Sequence, residues 1–308
     1  MKESLIYLGK RLITLLLSLL GIAIVVFFLV RLSGDPVSMY LPLDAGEEQK
    51  EAMRIALGLD KPLIEQFWNF LWNALHGDFG TSFSYGLPAM QVIKGPFIMT
   101  LKLVLLALCV ALIIAIPCGI AAARNAGSSF DSLISTVSLL GQSIPTFWWA
   151  LMLILVFAVR LRWLPASGIG TWKHMILPAI TLGTFEAGMY TRIVRTSVLQ
   201  VMNQDYTRTA RAKGLSERTV IVRHVIRNAA LPTITAVGMQ FGSLMGGSVV
   251  TEVVFGYSGM GRLAVQAIFS RDFALTQAFV LVCAVTVAVV NLVVDLVYSV
   301  LDPRVRMS

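Results

Sequence analysis

Long stretches without a charged residue recur along this chain. Residues 12–30 lie between Arg11 and Arg31, and residues 103–123 lie between Lys102 and Arg124. Residues 132–159 form a third run, interrupted by Pro145, and residues 228–251 and 274–294 close the series. A bilayer core about 30 Å thick needs roughly 20 apolar residues as helix, so each run is long enough to cross. A weaker run at 175–194 contains Glu186 and Arg192 and is read as a further span. The expected fold class is an all-α integral membrane protein with six transmembrane helices.

Composition agrees. Hydrophobic residues make up 56% of the chain and charged residues 14%, whereas soluble domains are about 45–50% apolar and about 25% charged. This excludes a disordered, fibrous or disulfide-stapled chain. Cys109, Cys118 and Cys283 all lie in apolar stretches and read as small hydrophobes. The first run follows Lys2, Lys10 and Arg11, as a secretory signal would. It exceeds the usual core of about 7–15 residues and lacks a small-x-small cleavage site, so it reads as an uncleaved anchor.

Charge sets the orientation. With the N-terminus inside, residues 1–11, 124–131, 192–227 and 302–308 carry fourteen Lys and Arg, against five in the short loops 160–174 and 255–273. The positive-inside rule then places both termini in the cytoplasm. The net charge of +8 follows from the same bias and does not call for nucleic acid. The expected division is a tail and first helix at 1–31, an outer segment at 32–98 and a five-helix core at 99–308.

The outer segment carries eight Asp or Glu between Asp35 and Asp78. Helices are expected over 47–57 and 63–75, the second with Leu63, Phe67, Phe70 and Leu71 on one side. Pro36, Pro42, Pro62 and Pro88 punctuate the segment. A packed cap and a docking face for an external partner both fit.

The inner segment 196–228 reads as helix, turn, helix. A helix over 206–213 stops at Gly214, which takes the left-handed conformation cheaply. Ser216 is an N-cap with Glu217 in the following first turn. That second helix reaches about Asn228, and Pro232 opens the fifth span.

This elbow reads Tyr206-Thr207-Arg208-Thr209-Ala210-Arg211-Ala212-Lys213-Gly214-Leu215-Ser216, followed by Arg223-His224, Arg227-Asn228-Ala229 and Leu231-Pro232. It resembles the cytoplasmic "EAA" loop of ABC-importer permeases, in the form of the dipeptide, oligopeptide and nickel branch. Further agreements are Gly34-Asp35-Pro36, Leu57-Gly58-Leu59-Asp60-Lys61-Pro62, His76-Gly77-Asp78-Phe79-Gly80, Trp163-Leu164-Pro165, Ile176-Leu177-Pro178, Gly259-Met260-Gly261, Arg271-Asp272 and Leu301-Asp302-Pro303-Arg304. Arg208-Thr209 stands where the wider superfamily has Glu-Ala.

The resemblance implies a type I ABC-importer permease in a bacterial cytoplasmic (inner) membrane, forming half of a pore. The implied partners are a second homologous permease, two cytoplasmic ATPases and an extracytoplasmic solute-binding protein. ATP and Mg would sit on the ATPases, with no cofactor and no catalytic residue in this chain. The implied coupling contacts are Tyr206, Arg208, Thr209, Ala210, Arg211, Lys213, Gly214, Leu215, Ser216 and Arg218. The cargo implied is a small peptide or peptide-like solute, with nickel or a metal chelate as the alternative within the family.

The stretch from Gly256 to Arg262 has P-loop glycine spacing, but Arg262 replaces the lysine. His76, His174 and His224 are scattered without metal-ligand spacing. Glu186, Glu252 and Asp295 fall within or at the ends of spans, where charge is costly and often functional. As a proton relay they would make a secondary carrier. The plainer expectation pairs Glu186 with Arg192 or Arg195 and puts Glu252 and Asp295 near the interfaces. Gly238, Gly242 and Gly246 recur every four residues, a close-packing pattern. Candidate pore-lining residues are Gln240, Ser243 and Gly246 on that helix, and Gln142, Ser143 and Pro145 at a kink in the third run.

Overall fold

The computed structural model describes residues 2–32, 37, 41 and 45–301. The motif residues Gly34, Asp35, Pro36, Pro42, Asp302, Pro303 and Arg304 lie outside these. The described residues are helical, with an isolated antiparallel bridge between Thr81 and Pro88.

In chain order the helices are α1 (Lys2–Leu32), α2 (Glu47–Ala56), α3 (Leu63–Leu75), α4 (Ala89–Arg124), α5 (Ser129–Ser143) and α6 (Thr146–Leu153), the last continuing as a π-helical stretch (Ile154–Arg160). Then come α7 (Lys173–Met202), α8 (Asp205–Ala212), and α9 (Glu217–Thr219), which passes through a second π-helical stretch (Val220–Val225) into α10 (Ile226–Val254). Two more, α11 (Met260–Phe269) and α12 (Phe273–Leu301), complete the set.

Among the described residues, three helical segments are long and apolar enough to cross a membrane outright: Arg11–Leu32, Ala89–Arg124 and Phe273–Val297. The α5–α6 pair passes the same test together, but bends by 98° at the Pro145 break. This is more than the kink expected there. Pro145 has no N–H to continue the α5 ladder, and the chain restarts as a separate helix at Thr146. The other long helices, α7 and α10, have 30 and 29 residues. At about 1.5 Å per residue both exceed a 30 Å core. Their extents are consistent with the expected six spans.

The chain falls into two compact units. One comprises Met1–Met99 and Ser258–Val289, the other Thr100–Tyr257 and Val290–Ser308.

In the first unit, α3 packs against the end of α1. Phe67 and Phe70 meet Phe27 with ring centroids 5.2 and 5.6 Å apart. The Arg31 guanidinium lies 3.6 Å above the Phe27 ring and donates to Gln66 Oε1 at 2.7 and 3.2 Å. Gln66 in turn donates to the carbonyls of Lys61 and Leu59. Leu63, expected on the packed side, is exposed, because Gln66 takes the inward position instead. Elsewhere in this unit, Ile93, Met260, Leu263 and Leu275 form an apolar core. Asp272, fully buried, accepts hydrogen bonds from Ser82 Oγ (2.5 Å), Ser84 N–H (3.0 Å) and Leu275 N–H (3.1 Å). It thereby caps α12 and fastens the loop before α4 to it.

In the second unit α7 is the central element, buried from Leu177 to Val198 along one side. Contacts at Gly183 and Gly188 bring it close to its neighbours. A Cβ at Gly183 would strike the Ala107 carbonyl of α4, and one at Gly188 the Ser138 carbonyl of α5. Trp149 of α6 donates from Nε1 to Thr184 Oγ1 at 2.9 Å.

One expected pairing of an intramembrane acid is different. Arg195 does not pair with Glu186. It pairs with Asp131 at the start of α5, at 2.6 Å. Glu186 accepts a hydrogen bond from Gln240 at 3.1 Å. Glu252, two residues from the end of α10, is fully buried in protein and accepts from Thr100 Oγ1 (2.5 Å) and Ser248 Oγ (3.1 Å). Helix α10 also does not begin at Pro232. It runs from Ile226 through the proline, with the π-helical stretch (Val220–Val225) just upstream.

Candidate functional site: the elbow after α7

The elbow starts where α7 ends. Asn203 and Gln204 turn the chain, and Asp205 opens α8 with its acid in the first turn, where the helix dipole favours it. Thr207 is fully buried and donates from Oγ1 to the Val201 carbonyl at 2.8 Å, tying α8 back to α7. One turn on, Ala210 is buried among Ala123, Val194, Val198, Val220 and Val225. A larger side chain would have no room in that cluster.

The turn itself is built by three residues. Gly214 has φ +78°, a conformation that costs other residues about 1–2 kcal/mol. A Cβ there would meet nothing within 4 Å, so the requirement is conformational, not steric. Ser216 caps α9, its hydroxyl accepting from the Thr219 N–H at 3.4 Å. Arg211 then closes the elbow across the turn. Its Nε and Nη2 donate to Glu217 Oε2 and Oε1 at 3.1 and 2.9 Å, and Nη1 to the Met202 carbonyl. The guanidinium holds the Glu217 carboxyl below the usual glutamate range.

This arrangement sorts the sequence candidates. Tyr206, Arg208, Thr209, Lys213, Gly214, Leu215, Ser216 and Arg218 are exposed and form one continuous chain surface. Ala210 is an anchor beneath it, and Arg211 is engaged within the elbow. Thr207 is a second anchor that the sequence reading did not single out. Val222 and Arg223, exposed on the following π-helical stretch, extend the same surface. Further back, the Asp131–Arg195 pair fixes the start of α5 to the last third of α7. Its local signal was present as Ser128-x-x-Asp131, a capping pattern in which Ser128 Oγ accepts from the Asp131 N–H at 3.2 Å.

The pore candidates separate into two groups. Gln240 turns toward α7 and its bond with Glu186. Ser243 and Gly246 lie with Met239, Val250 and Val253 on an exposed stripe of α10 at helical spacing. Of the glycine series, Gly238 is used for packing, since a Cβ there would collide with Val294 of α12, while Gly246 meets nothing within 4 Å. At the α5–α6 break, Ser143 and Pro145 are exposed, and Gln142 lies against Gly188. Beside the break, Leu140, Ile144, Trp149, Thr181 and Phe185 line a mainly apolar cavity of about 220 Å³. Among the described residues, no three His, Cys, Asp or Glu side chains come together as a metal-binding group.

Residues 115–307 match the family described as "Binding-protein-dependent transport system inner membrane component", and residues 4–92 match its N-terminal companion. The glutathione transport system permease protein GsiC of Escherichia coli (strain K12) is 41% identical over 301 residues, covering 97% of this chain and 98% of the relative. GsiC of Salmonella typhimurium (strain LT2) is 41% identical over the same length and coverage. Among solved structures, the MetNI methionine ABC transporter in an inward-facing conformation aligns with a TM-score of 0.60 at 16% identity, over 69% of this chain and 97% of that one. A crystal structure of an amino acid ABC transporter with histidines aligns with a TM-score of 0.52 at 18% identity, over 68% and 94%.

Proposed function

The chain belongs to the binding-protein-dependent family of inner-membrane transport components, as a permease subunit of an ABC importer, and on that basis we propose that it carries small peptides or peptide-like solutes of the glutathione class. It pairs with a second, homologous permease to enclose the path. Two ATPases dock on the cytoplasmic side, and a solute-binding protein delivers cargo from the other. Both termini face the cytoplasm, segment 32–98 lies outside, and segment 196–228 is the coupling loop of the 99–308 core.

The observation that carries this reading is the construction of the elbow. An exposed surface from Tyr206 to Arg218 is held on two buried anchors, Thr207 and Ala210, directly at the end of α7. Such a part passes a push from an ATPase dimer into a packed membrane helix without deforming. Transport then follows from rigid-body switching between two packings, and no side chain here breaks or makes a covalent bond. The peptide class draws its support from the relatives transporting glutathione and from the match along nearly the whole chain.

The test is a mild-detergent pull-down of tagged protein, followed by reconstitution and an ATP-driven uptake assay with glutathione, dipeptides and tripeptides. Co-purification of a second permease and two ATPases, with ATP-dependent uptake of one of these solutes, is the expected outcome. A chain that elutes alone, or uptake that ignores ATP, overturns the reading.

A further inference from the structure

Helix α3 carries two apolar faces, and among the described residues only one is used inside the protein. Phe67 and Phe70 turn toward α1. On the adjoining face Ile64, Trp68, Trp72 and Leu75 recur at helical spacing and are 71%, 61%, 66% and 75% exposed. Glu65, Asn69 and Asn73 occupy the remaining, polar side. The indole N–H groups of Trp68 and Trp72 meet no acceptor among the described residues, although Trp72 is otherwise placed, its ring 4.8 Å from His76.

The position of this helix identifies what covers the free face. Its contacts with α1 are Phe27 and Arg31, both in the last two turns of that span. At about 1.5 Å per residue, Phe27 lies roughly 8 Å short of the Leu32 end. The α1 surface at that level, including Ile24, Val25, Phe28 and Leu29, is itself exposed and apolar. The unused face of α3 thus belongs to a helix docked on the last two turns of an exposed, apolar span, where a spanning α1 would pass from acyl chains to headgroups. Tryptophan is enriched at that depth, because its ring is apolar and its N–H needs a polar partner.

We infer that α3 is an interfacial helix: Ile64, Trp68, Trp72 and Leu75 lie in the headgroup and upper acyl region of the leaflet in which α1 ends. Amphipathic helices of this kind bury the apolar face about 5–10 Å into the boundary. Glu65, Asn69 and Asn73 face water. Because Arg31 and Gln66 fasten α3 to α1, the membrane anchors the segment 45–88 at a set height, and the loop capped by Asp272 follows from there. The inference requires that α1 spans the membrane, and not which side its end faces.

The experiment uses full-length chain with its co-purifying subunits in vesicles of phosphatidylethanolamine and phosphatidylglycerol, with Cys109, Cys118 and Cys283 replaced by Ala. Nitroxide labels are placed by Trp68→Cys, Trp72→Cys and Ile64→Cys, the last leaving both indoles intact. Asn69→Cys reports the polar side and Val25→Cys the lipid-facing side of α1. Collision with molecular oxygen is compared with collision with a water-soluble nickel chelate. The oxygen-to-chelate ratio at 64, 68 and 72 is expected to exceed that at 69 severalfold and to approach that at 25. A ratio at those three sites equal to that at 69 overturns the inference and leaves the face free for a protein. An aqueous reading at 25 as well overturns the spanning assignment of α1 beneath it.

Discussion

Arg195 grips Asp131 with two parallel hydrogen bonds, Nε to Oδ1 and Nη2 to Oδ2, each 2.6 Å long. Asp131 receives a third from the Gly127 N–H at 3.0 Å. The pair links residues 64 positions apart and makes the start of α5 move with the elbow end of α7. A two-pronged carboxylate contact of this kind is specific to arginine, because a lysine presents a single point charge. Arg195→Lys is therefore expected to lower Tm by several degrees and to cut uptake more than ATP hydrolysis. The exchange Asp131→Arg with Arg195→Asp is expected to recover part of both. Unchanged Tm and uptake in Arg195→Ala would remove the clamp from the mechanism.

Gly214 sits at φ +78° in open space. Substitution there separates backbone strain from crowding. Gly214→Asn, whose side chain tolerates the left-handed region, is expected to transport nearly as well as the parent. Gly214→Val is expected to insert normally yet lose most ATP-driven uptake, the turn having been strained by about 1–2 kcal/mol or more. Equal uptake by the two variants would show that the turn need not be rigid.

Close packing at α7 gives a contrasting pair. At Gly188 any Cβ collides with the Ser138 carbonyl, a backbone atom with little freedom to yield. Gly188→Val is expected to destabilise the chain by about 1–3 kcal/mol or more through overpacking, read as an earlier unfolding transition in detergent. Gly246→Val meets nothing within 4 Å and is expected to leave that transition in place. Its effect should fall on co-purification of the second permease, if the exposed stripe of α10 is the shared face.

Glu252 is buried with donors arranged around it. Thr100→Val removes the 2.5 Å donor, and leaving a buried acceptor short of a partner costs about 1–3 kcal/mol. Glu252→Gln keeps the shape and the hydrogen-bonding capacity. Uptake by this variant is expected to persist, and to survive an uncoupler while ATP is maintained. Collapse with the proton gradient at constant ATP would favour a carrier mechanism.

The elbow ion pair predicts a titration. Arg211 depresses the Glu217 pKa, chiefly by hydrogen bonding and then by charge. A depressed carboxyl contributes stability that is present above its unfolded value and is lost as pH falls through the folded one. The pair is largely exposed, so its worth is below about 1 kcal/mol. A carbon-13 NMR titration of the Glu217 carboxyl is expected to give a midpoint below that of a free glutamate, restored upward by Arg211→Gln. An identical midpoint in the two proteins would argue against the contact in solution.

Local signals in this sequence mark helix ends and turns closely. Helices expected over 47–57 and 63–75 appear as Glu47–Ala56 and Leu63–Leu75, and the Gly214 stop and Ser216 cap are where turn chemistry puts them. What escaped was long-range. Thr100 and Glu252 are 152 positions apart, and nothing in the periodicity around either names the other. The inward choice of Gln66 over Leu63 depends on Arg31 of another helix. Pro145 and Pro232 look alike in sequence, yet one breaks its helix and the other rides inside it. Pro178 likewise rides inside α7, so the residue type alone does not tell the two outcomes apart. Among the site candidates, Ala210 and Arg211 match the motif like their neighbours, and only their burial and bonding set them apart from the exposed surface.

The uninterrupted length of α7 has a mechanical consequence. A 30-residue helix is a rod about 45 Å long. Fixed near its middle by contacts at Gly183 and Gly188, it behaves as a lever with its fulcrum inside the bilayer. A tilt of about 5° would sweep one end roughly 4 Å relative to the other. On the proposed coupling role the elbow is the handle, and its leverage rests on a fulcrum that no side chain larger than hydrogen can occupy without lifting the rod.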